Sequence, residues 1–172
     1  TEAGGGHREL PDSLRTLIAA RLDQLTPEQR QMLENAAVLG TSGAITGLEK
    51  FGTELGQRFS LDVLHELDDL GLMEVRGRRW EFRSESVRDA AYQTLTKAAR
   101  AQRHAGVAQA MRSMTGQLED RAHHTASAAE LVQELGAVAG VPAGIVDDAV
   151  RLLTAAADRA LDRGVEMPEA QF

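Results

Sequence analysis

Residues 60–95 read SLDVLHELDDLGLMEVRGRRWEFRSESVRDAAYQTL, and their pattern changes period twice. Ser60 is a helix N-cap, and Leu61, Leu64, Leu67 and Val63 recur at helical spacing until Leu70-Gly71 ends the helix. Two alternating runs follow, Leu72-Met73-Glu74-Val75 and Trp80-Glu81-Phe82-Arg83, around Arg76-Gly77-Arg78-Arg79. Alternation on both sides of a Gly-containing turn predicts a β-hairpin. Helical spacing then returns with Val87, Ala90, Ala91, Tyr92 and Leu95, behind Ser84 or Ser86 as the cap.

Upstream, Leu14, Leu17, Ile18, Leu22 and Leu25 predict a helix over 11–25, with the Arg21 stem bordering its stripe. Thr26-Pro27-Glu28-Gln29 combines an N-cap, a Pro suited to the first helical position and a Gln at the capping-box position. The helix it opens carries Met32, Leu33, Ala36, Ala37 and Leu39 and stops at Gly40. Residues 41–59 are ambiguous: four glycines interrupt them, though Ile45, Leu48, Phe51 and Leu55 fit one short helix. Three helices followed by a hairpin is the order of a winged-helix module.

Downstream the pattern is helical, with expected helices over 98–114, 118–135 and 145–163 and a turn around Pro142. Ala-rich antiparallel helices with short connections suggest one or two tetratricopeptide-like pairs. The expected organisation is therefore mainly α. A polar, Gly-rich linker covers 1–9, a winged-helix-like domain with one short β-hairpin covers 10–96, and a helical region covers 97–172. The last of these reads as truncated, because Glu166, Pro168 and Glu169 resemble a helix opening.

The chain has 172 residues, 42% hydrophobic and 26% charged, with only 3% aromatic, so its core must rest on Leu, Ala, Val and Ile. A net charge of -7 argues against general affinity for nucleic acid or anionic membranes. The absence of cysteine excludes disulfide and thiolate chemistry and fits a cytoplasmic setting. No apolar run reaches the ~18–20 residues of a membrane span, and no signal peptide opens the chain.

The residues that carry chemistry elsewhere are poorly placed here. Gly40-Thr41-Ser42-Gly43-Ala44-Ile45-Thr46-Gly47 is Gly-rich but lacks the Lys-Ser/Thr step of a phosphate loop, and reads as a helix terminus and flexible loop. His123 and His124 are sequence neighbours, so on a helix they diverge by about 100° and cannot together hold one ion; they read as helix-surface or inter-helix polar contacts. His65 and His104 read as solvated or satisfied core histidines. Serines fall mainly at expected caps (Ser13, Ser60, Ser84, Ser86), and no Gly-x-Ser-x-Gly turn is present. No catalytic site and no metal site is expected.

DNA binding is the rival reading of a winged helix. The helix before the hairpin carries Asp62, Glu66, Asp68 and Asp69 and no Lys or Arg, which opposes approach to phosphates. The hairpin turn carries Arg76, Arg78 and Arg79, the interaction candidates, which suit contact with a neighbouring acidic or nucleotide-bearing domain better than a groove.

Residues 10–40, 64–111, RAHHTASAAELV (121–132) and AVRLLTAAADRALDRG (149–164) together resemble bacterial STAND-class signalling ATPases. That class includes predicted ATPases associated with class III adenylate/guanylate cyclase domains, and maltose-regulator-type activators. The resemblance implies a non-catalytic fragment with no cofactor of its own, from a parent that binds ATP or ADP. In such a parent the winged helix packs against an upstream nucleotide-binding domain, and the repeats bind or relay a protein partner. The family often reads Phe-Arg-His after the hairpin, with the His able to touch the bound nucleotide. Here Phe82-Arg83-Ser84 stands instead, so Arg83, Ser84 and Arg88 are the weak candidates for facing a nucleotide. A winged-helix, nucleic-acid-binding transcription regulator is the alternative.

Overall fold

Thr26 opens the second helix as its neighbours dictate. Its hydroxyl accepts from the Gln29 N–H at 3.2 Å, and the Gln29 side-chain oxygen accepts from the Thr26 N–H at 3.0 Å, closing the capping box with Pro27 in the first turn. The computed structural model describes residues 12–114 and 116–165, without the side chains of 12–15 and 164–165. The expected linker and the helix opening near Pro168 lie outside the described residues, as does the side chain of Ser13.

In chain order the elements are α1 (Asp12–Asp23), α2 (Pro27–Leu39), β1 (Ser42–Ala44), α3 (Ile45–Glu54), α4 (Leu61–Asp69), β2 (Met73–Arg76), β3 (Arg79–Phe82), α5 (Glu85–Thr94), α6 (Lys97–Ala110), α7 (Leu118–Leu135) and α8 (Ile145–Val165). The fold is mainly helical with a small antiparallel sheet. The chain divides into two compact units, Thr1–Ile45 with Ser60–Thr94, and Thr46–Phe59 with Leu95–Phe172.

In the first unit, α2 packs against α4 and α5, and α1 against α5. Met32, Leu33, Ala36, Ala37, Leu64, Leu67, Leu72, Met73, Trp80, Phe82, Val87 and Ala91 are buried. Ser60 caps α4, accepting from the Val63 N–H at 3.4 Å, and Ser84 rather than Ser86 caps α5, accepting from the Val87 N–H at 3.3 Å. Two stripe assignments need correction. Leu17 is 58% exposed and Leu61 is 47% exposed, because Ile18 and Leu22 fill the inner face of α1, and Leu64 and Leu67 that of α4.

The hairpin forms as expected, pairing Val75 with Trp80 and Arg76 with Arg79 across a turn in which Gly77 takes φ 59°. The sheet has a third strand, however, in the order β1-β3-β2. Residues 42–44 are thus a strand and not a flexible loop. Gly43 sits opposite Trp80, whose indole donates from Nε1 to the Ala44 carbonyl at 3.2 Å. A Cβ at position 43 would stand 2.9 Å from the indole ring, so only glycine admits the ring so close to the backbone.

The second unit is built on α6, α7 and α8, with α7 packed against both others. Ion pairing of Lys97 with Glu134 and contact of His104 with His124 show that α6 and α7 run antiparallel. Small side chains let the helices approach. Ala105, Ala128, Ala129, Ile145 and Ala149 form the buried cluster, flanked by Val132, Val141 and Val146. Thr96 caps α6, accepting from the Ala99 N–H at 3.2 Å. The last turn expected for this helix tightens into a 3-10 turn, Met111–Ser113. In α3, Leu48 and Phe51 are buried, and a Cβ at Gly106 of α6 would lie 3.0 Å from Leu55 and 3.2 Å from Phe51.

Candidate functional site

The candidate side chains fall in three places. The first is the hairpin tip. Arg76, Arg78 and Arg79 are exposed; Arg76 pairs with Glu74 at 2.6 Å, whereas Arg78 and Arg79 form no ion pair among the described residues. On α4, Asp62, Glu66 and Asp69 are exposed, and Asp68 is half-buried.

Arg83, Ser84 and Arg88 all hold internal partners. The Arg83 guanidinium donates to Asp68 at 3.1 Å and to the Met73 carbonyl at 3.1 Å, and lies 3.5 Å from Glu74. This ties the base of the hairpin to α4. Ser84 is the α5 cap. Arg88 donates to the Ala37 carbonyl of α2 at 2.9 Å, pairs with Asp89 at 3.0 Å and stacks 5.1 Å above the Tyr92 ring.

The second place is a histidine cluster in the second unit. His104 of α6 and His124 of α7 are buried, and their Nδ1 atoms are 2.9 Å apart. One Nδ1 must carry a hydrogen and donate while the other accepts, so the two rings adopt different proton arrangements. His123 is exposed, with its ring 5.2 Å from His124 and 6.4 Å from His104. No group of three or more His, Asp or Glu side chains able to hold a metal occurs among the described residues. His65 is exposed on α4. The pair works as an inter-helix latch: replacing His124 with Leu is expected to cost about 1–3 kcal/mol, because it removes a partner from a buried ring nitrogen. In denaturant titrations, the double replacement of His104 and His124 should cost less than the sum of the two single changes. Additive costs would show that the two rings do not act as a pair.

The third place is the outer face of α8. Ile145, Ala149 and Leu152 point inward, while Val150, Leu153 and Leu161 are 62%, 48% and 68% exposed. This helix is therefore apolar on two sides. Arg163 near its end pairs with Glu119 in the first turn of α7. The Glu119 carboxyl is held below the usual range chiefly by its own backbone N–H at the helix start; desolvation opposes this, and Arg163 adds to the lowering.

No known family profile matches the chain, and no curated protein or solved structure shows significant similarity to it. What the fold defines is a mainly helical protein with a small antiparallel sheet. No helix among the described residues is long and apolar enough to cross a membrane.

Proposed function

We propose that this chain is a non-catalytic regulatory and interaction segment of a multidomain cytoplasmic signalling ATPase of the STAND class, the class that includes ATPases associated with class III adenylate/guanylate cyclase domains. The first unit serves as the winged-helix module that contacts an upstream nucleotide-binding domain, and the second as the start of a tetratricopeptide-like array. The parent supplies ATP or ADP; this segment supplies contacts. The observation that carries the reading is the second apolar face of α8, where Val150, Leu153 and Leu161 are exposed on a helix already packed through its other side. A helix inside a stacked array needs two such faces, one for each neighbour. The exposed Arg78 and Arg79 support the hairpin as the contact with a nucleotide-bearing domain. A partner that favours one arrangement of the parent would shift its population through differential contact at these surfaces.

The chain contains no cysteine, so Leu153→Cys introduces a sole thiol. Its alkylation is expected to be fast in the isolated chain and strongly slowed in the intact parent. Equal rates in both would show that nothing covers the face. ATP turnover by the isolated chain is expected to be absent; turnover that co-purifies with it would defeat the non-catalytic reading.

A further inference from the structure

Much of the core of the second unit is alanine: Ala101, Ala105 and Ala108 on α6 and Ala122, Ala128 and Ala129 on α7 are all buried. His104 and His124 are buried on the same two helices, with Nδ1 atoms 2.9 Å apart and ring planes tilted by 35°. Two apolar side chains at these positions would pack without withdrawing ring nitrogens from water. What the histidines add is a dependence on protons.

The contact between the two Nδ1 atoms admits a single hydrogen. A neutral pair meets this condition, one ring donating and the other accepting. A pair with one added proton meets it too, since the charged ring donates to the neutral one. With two added protons both Nδ1 atoms are donors, no acceptor remains and two like charges face each other, whatever the Nε2 atoms bond to.

The charged side chains within a turn of the pair are mostly basic. They are Arg100 and Arg103 on α6 and Arg121 and Asp120 on α7, together with the exposed His123, whose ring is 5.2 Å from that of His124. On α8, Asp148 is already engaged by Arg151 and by Arg112 from the turn after α6. α3 approaches α6 at Gly106 through the apolar Phe51 and Leu55, while its Glu49, Lys50 and Glu54 are exposed. In the unfolded chain each histidine takes up a proton near pH ~6.5. The folded pair takes up at most one, so below that pH the unfolded state binds more protons. Stability from the pair is therefore full above pH ~6.5 and is lost as the pH falls. We propose that the contact of His104 with His124 is a proton-operated latch between α6 and α7, closed while the pair holds no more than one added proton and opened by the second.

The test is denaturant titration of the purified chain at about pH 7.5 and about pH 5.5, beside the double variant His104→Leu, His124→Leu. Both chains carry the same carboxylates and the same other histidines, so the difference between them isolates the pair. From the higher to the lower pH, the folding equilibrium constant of the natural chain is expected to drop about tenfold more than that of the variant. That is the effect of one proton over about one pH unit below ~6.5. Equal drops in the two chains would overturn the proposal. Nitrogen NMR of the imidazoles in the natural chain counts the protons directly, and it decides the matter even if the double variant does not fold. At the higher pH one Nδ1 of the pair should carry a hydrogen and the other a lone pair. At the lower pH no more than one of the two rings should be charged in the folded chain. Two charged rings in a chain that is still folded, with α6 and α7 amides as protected from hydrogen exchange as before, would equally overturn the proposal.

Discussion

Replacing Trp80 with Ala is expected to destabilise the first unit by about 3–5 kcal/mol, a large share of the ~5–15 kcal/mol that holds a domain folded. Trp80 is 1% exposed and is the largest fully buried side chain described. It meets Phe82 edge to face with ring centroids 6.0 Å apart, donates to Ala44 across the sheet and covers Gly43. Its loss therefore empties a cavity between the strands and leaves β1 without the contact that holds it on β3. Denaturant titration followed by far-UV circular dichroism measures the change, since Trp80 is the sole tryptophan and its fluorescence disappears with it. Trp80→Phe keeps a ring and loses only the N–H, so it should cost clearly less. An Ala variant as stable as the natural chain would mean that the sheet does not depend on this ring.

Phe51→Ala is expected to have a comparable effect, about 3–5 kcal/mol, on the second unit. Phe51 is fully buried, and its ring approaches Gly106 so closely that a Cβ there would stand 3.2 Å away. Removing the ring leaves α3 with Leu48 as its remaining fully buried large side chain. Melting followed by circular dichroism should shift to lower temperature. Gly106→Ala approaches the same contact from the other side; because it meets the movable Leu55 side chain, it should cost less than Phe51→Ala. An unchanged melt for Phe51→Ala would place α3 outside the stable core.

The elements that could be read from sequence are those whose instructions are local. Thr26, Pro27 and Gln29 specify a helix start within four residues, and Gly77 between two alternating runs specifies a hairpin. The bounds of α7 were legible for a similar reason, since Gly116 and Gly136 flank it with φ 84° and 82°. β1 was not legible. Ser42-Gly43-Ala44 has no strand propensity, and it is a strand because β3 offers an open edge and Trp80 needs a glycine opposite.

The candidate sites show the same division between local and distant information. The acidic face of α4 and the arginines of the hairpin were visible because each lies within one element. The partnership of His104 with His124 spans two helices and 20 residues. Folding the chain back at Gly116 would have brought them within about a turn of each other, but their contact depends on helix register that spacing alone does not supply. The internal partners of Arg83 and Arg88 are likewise set by tertiary packing. On α8, Leu152 and Leu153 are equally apolar, and only the packing of α7 decides that the first is buried and the second exposed.

A protein-contact role and a DNA-binding role are separated by one measurement. Fluorescence anisotropy of a labelled random duplex, titrated with the purified chain at low and at moderate salt, reports whether the hairpin arginines outweigh the acidic α4. The protein-contact role predicts no binding at low salt. Tight binding that weakens as salt is added, and that is lost in the Arg78→Glu, Arg79→Glu double variant, would contradict it and make the chain a nucleic-acid-binding regulator.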